Sequence, residues 1–331
     1  MNTARAGLEP SRRSLSPAKA WHRVTGLAAA VAFLVVTASC ALLDREPEID
    51  LSARPQADQV PMSAEPARDR LVLAVAAVNS PMSTFELYAD FARYLGKRLG
   101  MEAKFVSGKT YSEINSLLRS GDATLAIVCS GAYVYGREEF DLELLAAPSV
   151  RGQLVYYSYL IVHKDSPIAA WPQLKGRTFA FTDPLSNSGR IVPLYQIRQM
   201  GETPESLFSR YIFTYSHDYS IEAVAGKLVD AASVDSLVYD FNVRQGSDEA
   251  AKTKVIWSSP PFAINPVVVN PNLDARLKAR LRTLLLEMHD DPEGRLILDR
   301  LTIDRFTPIE DGAYDSIRYM MQAVGMQRGT P

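Results

Sequence analysis

The chain has 331 residues, 47% hydrophobic and 22% charged, with a formal net charge of −2. That is a globular composition long enough for two domains, and it excludes collagenous and low-complexity classes. A charge so near zero gives no reason to expect nucleic acid as a partner.

The charge is unevenly spread. Residues 1–40 carry Arg5, Arg12, Arg13, Lys19 and Arg23 against Glu9, a net of +4 that leaves −6 on the remainder. This basic stretch precedes ten apolar residues, Leu27 to Val36, and then Thr37-Ala38-Ser39-Cys40. A membrane-spanning helix needs ~20 apolar residues, so the run fits the core of a signal peptide. Small residues ending in cysteine resemble a bacterial lipobox, which makes 1–40 a lipoprotein signal peptide and Cys40 the lipidated residue. Thr37 departs from the usual Leu or Val, which leaves ordinary secretion open. Only Cys40 and Cys129 occur, so with Cys40 cut away or lipidated no disulfide framework is available. Residues 41–69 are polar and rich in proline, and read as a flexible tether.

From residue 71 a buried-strand run, 71–77, is followed by a helical face over 85–99 and a strand at 103–106. A helix at 111–119 and strands at 123–128 and 142–147 come next. After a tyrosine-rich extended run, 154–163, a second series has strand 178–181, helix 190–200, strand 211–214, helix 220–227 and strands 231–234 and 254–257. Pro260-Pro261 breaks the chain before 264–269, and helices 274–289 and 292–301 close it. Alternating strands and helices predict mainly parallel sheets with crossover helices. Two connections, near 154–163 and 258–268, make the second unit an insertion in the first. The predicted organisation is lobe 1 from 70–158 plus 264–331 and lobe 2 from 159–263, with a cleft between them as the default ligand site.

Four polar clusters follow predicted strand ends, where ligands of open α/β sheets bind. They are Cys129-Ser130-Gly131-Ala132-Tyr133, Asp183 to Gly189, Ser216-His217-Asp218 and Asp235-Ser236. Helix N-termini expose unpaired N–H groups and partial positive charge, so an anion is stabilised there without a basic side chain. Ser186, Asn187 and Ser188 add donors, and Gly189 lets the backbone approach closely. One such residue would only cap the helix; three in a row, with a second turn at Ser130-Gly131, also fit an anion cradle, and the residues alone leave both open. Of four histidines, His217 alone sits between a predicted strand and a predicted helix. Neutral His217, or Asp218, is expected to accept from a protonated oxyanion, which would discriminate against sulfate. Adjacent Ser216-His217-Asp218 cannot converge as a catalytic triad, no G-x-S-x-G elbow occurs, and no metal-ligand spacing is present. No enzyme activity, cofactor or metal is expected.

Taken together, Thr110-Tyr-Ser-Glu-Ile-Asn115, Cys129 to Val134, Phe181 to Arg190, Thr214 to Asp218, Val234 to Asp240 and Ser259-Pro-Pro-Phe262 resemble the phosphate/phosphite/phosphonate-binding proteins of ABC importers. The resemblance covers roughly 70–320 in order. It implies an α/β, two-lobed type II periplasmic-binding-protein fold, with each lobe a mainly parallel sheet flanked by helices and a two-strand hinge between them. It further implies an extracytoplasmic monomer that captures a phosphorus oxyanion and delivers it to the transmembrane subunits of an ABC permease. The implied ligand-binding residues are Ser130 and Tyr133 on lobe 1, and Ser186, Asn187, Ser188, His217, Asp218 and Asp235 on lobe 2. Family members that bind aminoalkylphosphonates place carboxylates around the ammonium. In that region Asp235 is present, but Leu237 and Asn265 stand where further acids are sought, which favours phosphite or phosphate over an aminophosphonate. A sensor for a membrane kinase would use the same closed lobes, and a hydrolase is the third reading.

Overall fold

The computed structural model describes residues 70–76 and 81–326, with backbone only for 81–87. The predicted signal peptide, Cys40 and the tether lie outside the described residues. In chain order the elements are β1 (Arg70–Ala76), α1 (Pro81–Leu99), β2 (Glu102–Gly108), α2 (Tyr111–Ser120), β3 (Leu125–Ile127), α3 (Ser130–Phe140) and β4 (Glu143–Ser149). Then come β5 (Val155–Tyr156), β6 (Ser158–His163), β7 (Arg177–Phe181), a π turn (Asn187–Ile191), α4 (Val192–Gln199), α5 (Pro204–Leu207) and β8 (Phe208–Phe213). They are followed by α6 (His217–Ala225), β9 (Ala231–Asp235), α7 (Ser236–Arg244), α8 (Asp248–Ala251), β10 (Thr253–Ser258), β11 (Phe262–Ala263) and β12 (Val267–Val269). The chain ends with α9 (Ala275–Glu287), α10 (Pro292–Arg300), β13 (Arg305–Thr307) and α11 (Asp315–Ala323).

One sheet has the order β13-β4-β12-β3-β1-β2 and a second has β10-β6-β9-β7-β8. Both are mixed: β3-β1-β2 and β9-β7-β8 are parallel neighbours, while β12 is antiparallel to β3 and β6 to β9. The reason lies in the crossings. The chain enters the second sheet with Ser158 of β6 opposite Asp235, the last residue of β9. It returns with Val267 of β12 opposite Ile127, the last residue of β3. A strand arriving at the carboxyl end of a parallel strand must run back along it. Between the sheets β5 and β11 pair as a two-stranded ribbon, Phe262 opposite Tyr156.

Each sheet is covered on both faces. In the first, Phe91, Leu95, Leu281 and Leu285 pack on one side and Ile114, Leu118, Val134 and Ile317 on the other. In the second, Trp171, Phe179, Phe208 and Ile197 oppose Ile221, Val224 and Tyr239. The chain does not close at 301, since β13 pairs with β4 and α11 packs on the first sheet's core.

Candidate functional site

The carboxyl ends of the parallel strands carry the predicted clusters, and side chains from both sheets join there through hydrogen bonds. After β3, Ser130 opens α3; its Oγ lies 2.7 Å from the Tyr156 hydroxyl and its N–H donates to Asn265 Oδ1 at 3.0 Å. After β7, Asn187 Nδ2 donates to the same Tyr156 oxygen at 3.0 Å. After β8, Tyr215 takes a left-handed φ of 59°, and the chain turns at once into α6 with His217 at its start. After β9, Asp235 caps α7, with Oδ1 accepting from Leu237 N–H at 2.7 Å and Oδ2 from Asn265 Nδ2 at 3.4 Å. Ser130, Asn187, Ser188, His217 and Asp235 are all buried.

The two sheets meet closely here. A Cβ on Gly131 would lie 2.4 Å from Leu185 O and 3.0 Å from Asn187 N, so α3 approaches the turn only because that residue is glycine. A Cβ on Gly189 would lie 2.3 Å from Thr182 Oγ1, which lets the π turn fold onto β7. Such widened turns recur at functional sites.

The electrostatics are those of neutral donors. The Asp235 N–H donates to His217 Nδ1 at 3.1 Å. An N–H can only donate, so Nδ1 is the acceptor and neutral His217 carries its proton on Nε2. Burial pushes the imidazole down to about 3, which keeps it neutral. His217 therefore presents a donor, correcting the expectation that it accepts from a protonated ligand. Burial raises the Tyr111 and Tyr156 hydroxyls well above the ordinary value, helped by neighbouring Cys129 and Asp235, so both keep their protons. The Cys129 thiol is pushed up to about 11 by burial and stays neutral. Asp235 is the exception. Desolvation raises its carboxyl to about 7, opposed by the Leu237 N–H and Asn265.

Three buried polar atoms here have no hydrogen-bond partner, namely Tyr111 Oη, Asn187 Oδ1 and Ser188 Oγ. Such atoms cost stability unless a ligand satisfies them. The network that joins Tyr156, Ser130, Asn187, Asn265, Asp235 and His217 contains no lysine or arginine. Arg190 is engaged elsewhere, donating to Pro184 O at 2.7 Å with its guanidinium over Phe213.

Three predicted residues have other roles. Tyr133 donates to Asp311 Oδ1 at 2.5 Å and packs edge-on against Tyr314, so its hydroxyl is not brought into the cluster. Ser186 Oγ caps the π turn by accepting from Gly189 N–H at 3.0 Å. Asp218 Oδ1 accepts from Asn242 Nδ2 at 3.0 Å, which ties it to α7. Tyr111 and Tyr156 were not singled out from the sequence, although Tyr111 follows the Thr110 cap of a helix after a strand end. Asp183 reaches across from the second sheet, its Oδ2 accepting from the Tyr111 N–H at 3.1 Å. That carboxylate already occupies the α2 N-terminus.

Two mixed α/β lobes, a double crossing and a buried polar cluster between strand ends define a two-lobed periplasmic binding protein. Residues 73–314 match the model of the family described as ABC transporter, phosphonate, periplasmic substrate-binding protein. The chain belongs to that family, whose members are transporter binding proteins and not enzymes. It is 26% identical over 279 residues to the phosphonates-binding periplasmic protein of Escherichia coli K12, covering 81% of this chain and 82% of that one. Among solved structures, a binding protein component of an ABC phosphonate transporter from Pseudomonas aeruginosa superposes with a TM-score of 0.73 at 24% identity, covering 77% of this chain and 86% of that one. The PhnD1 protein of Prochlorococcus marinus MIT 9301 in complex with methylphosphonate gives 0.71 at 20% identity, covering 78% and 99%.

Proposed function

We propose that the protein captures a phosphorus oxyanion (phosphite, phosphate or a phosphonate) between its lobes and hands it to the transmembrane subunits of an ABC permease. The observation that carries this reading is the pair of unpartnered buried hydroxyls, Tyr111 Oη of lobe 1 and Ser188 Oγ of lobe 2, with Asn187 Oδ1 beside them as an acceptor for a proton on the ligand. With Ser130 at the start of α3 and the Nε2–H of His217 at the start of α6, they form a neutral cradle. Helix N-termini supply the positive potential that a cation would otherwise supply.

Asp235 adds selectivity. Its carboxyl, raised to about 7 by burial, shares a proton with a phosphorus oxyanion near neutral pH. Sulfate brings no proton, so a carboxylate beside it is a like-charge contact. In this reading lobe 1 is 70–158 plus 264–331, lobe 2 is 159–263, and they hinge on the β5–β11 ribbon. Lipidated Cys40 anchors the mature chain to the membrane through the tether. The test is calorimetric titration of the purified protein with phosphite, phosphate, methylphosphonate and sulfate at pH 7. Saturable one-to-one binding of at least one phosphorus anion, with sulfate weaker by a hundredfold or more, is the expected result. Equal binding of sulfate, or no binding of any phosphorus anion, would refute the reading.

A further inference from the structure

Asp183, two residues after β7, is only 1% exposed, and a carboxylate is costly to bury. Burial pushes its carboxyl up from the ordinary value, opposed by the N–H groups of Leu185 and Tyr111 and by the charge of Arg190. Its two oxygens do different things. Oδ1 accepts from Leu185 N–H at 2.8 Å, a local turn that asparagine or serine also makes without a charge. Oδ2 accepts from Tyr111 N–H at 3.1 Å, on the other sheet and 72 residues away. The turn alone therefore does not account for an acid at 183. What the second oxygen meets is the first residue of α2, at the helix's positive end, where an N–H has no partner within its own helix. The Thr110 cap serves Glu113 N–H and leaves this donor to Asp183.

Tyr111 links that bond to the cradle, because the same residue carries one of the unpartnered buried hydroxyls. The surroundings of Asp183 also cross between the sheets. Leu185 and Ile191 share the apolar core of the first sheet, and Cys129 Sγ accepts from Asn187 N–H at 3.4 Å. All these contacts exist only while the two sheets meet.

We infer that Asp183 is a positioning residue that latches the closed lobes, with or without ligand, and slows ligand release by acting through Tyr111. The inference rests on the two-lobed oxyanion reading above. A bond present only in the closed form slows opening and leaves capture by the open form unchanged, so its loss appears in the dissociation rate. Asp183→Asn keeps an oxygen for Leu185 N–H but turns an amide NH2 toward the Tyr111 N–H, donor against donor. Asp183→Ser keeps the turn and is too short to reach Tyr111 as well. Stopped-flow fluorescence with methylphosphonate should show release faster by roughly tenfold to a hundredfold in both variants, the effect of losing a hydrogen bond to a charged group. Association should stay within about twofold of the parent. Amide hydrogen exchange followed by NMR without ligand reads the latch itself, and Tyr111 N–H should exchange at least about tenfold faster in the variants. Unchanged release, or unchanged exchange at Tyr111, would overturn the inference and leave the oxyanion reading intact. If the parent binds neither methylphosphonate nor phosphite, the oxyanion reading fails, and the exchange contrast at Tyr111 still decides whether Asp183 is a latch.

Discussion

Two serines in one turn should respond to the same substitution with opposite signatures. Ser188 is fully buried, and its Oγ has no partner. Its backbone carbonyl accepts from Ser158 Oγ at 2.7 Å, and Ser188→Ala leaves that bond in place. In the unliganded protein the substitution removes an unsatisfied hydroxyl, whose burial costs ~1–3 kcal/mol, so stability should hold or rise. In the complex it removes a hydrogen bond to a charged ligand, worth ~1.5–3 kcal/mol, so affinity should fall roughly tenfold to a hundredfold. Ser186→Ala instead deletes the cap on Gly189 N–H and should lose ~1 kcal/mol. In a protein of this size that lowers Tm by ~2–4 °C. Scanning calorimetry without ligand and titration calorimetry with methylphosphonate read the two quantities. A Ser188→Ala variant with lowered Tm and unchanged affinity would show that the hydroxyl serves the fold and not a ligand.

Gly131→Ala puts a methyl 2.4 Å from Leu185 O across the two sheets, so it should abolish high-affinity binding without unfolding either lobe; wild-type affinity would mean that the lobes need not meet there. Asp235, held near 7 against an ordinary value near 4, takes up its proton more readily folded than unfolded, so its contribution favours folding at low pH and is lost as pH rises from about 4 to 7. Asp235→Asn should therefore gain stability over the parent across that window, by up to about 4 kcal/mol at pH 7, and should flatten the pH dependence of binding; a Tm difference constant with pH would contradict this. His217 runs the other way. Its folded value of about 3 lies below the ordinary 6.5, so stability is lost as pH falls between them, and His217→Gln should remove that loss in a melting profile against pH. Cys40→Ala should release the protein from membrane fractions, and unchanged fractionation would refute the lipid anchor.

Much of the site was legible because strand ends announce themselves. Small polar residues directly after the apolar runs Leu125–Ile127 and Arg177–Phe181 mark where Ser130, Asn187 and Ser188 lie. What such a pattern cannot convey is the direction of a hydroxyl. Tyr133 and Ser130 share the first turn of α3, yet Tyr133 turns to Asp311, a partner 178 residues away, while Ser130 meets Tyr156. Asp218 adjoins His217 in the chain but bonds to Asn242 on another helix. Helices α3, α7 and α11, with the four-residue α5 and α8, are missing from the predicted elements. Helix α3 is buried at Ser130 to Val134 and at Gly136, so it has no polar face to set a period. Helix α7 is rich in β-branched and aromatic residues, and its start depends on the Asp235 cap. Helix α11 does carry the signal, with Ile317, Met320 and Met321 at helical spacing on its buried face. The sheets' antiparallel strands were hidden for another reason, since strand direction follows from where the crossings enter and not from any local pattern.

If neutral donors from both lobes hold a phosphorus oxyanion, a crystal structure of the protein with methylphosphonate will show them around the ligand. The phosphonyl oxygens should lie within ~2.5–3.2 Å of Ser188 Oγ, Tyr111 Oη and His217 Nε2, with Asp235 beside the ligand and no lysine or arginine in contact with it. An anion bound to basic side chains elsewhere, with Ser188 and Tyr111 still unpartnered, would rule out this binding mode.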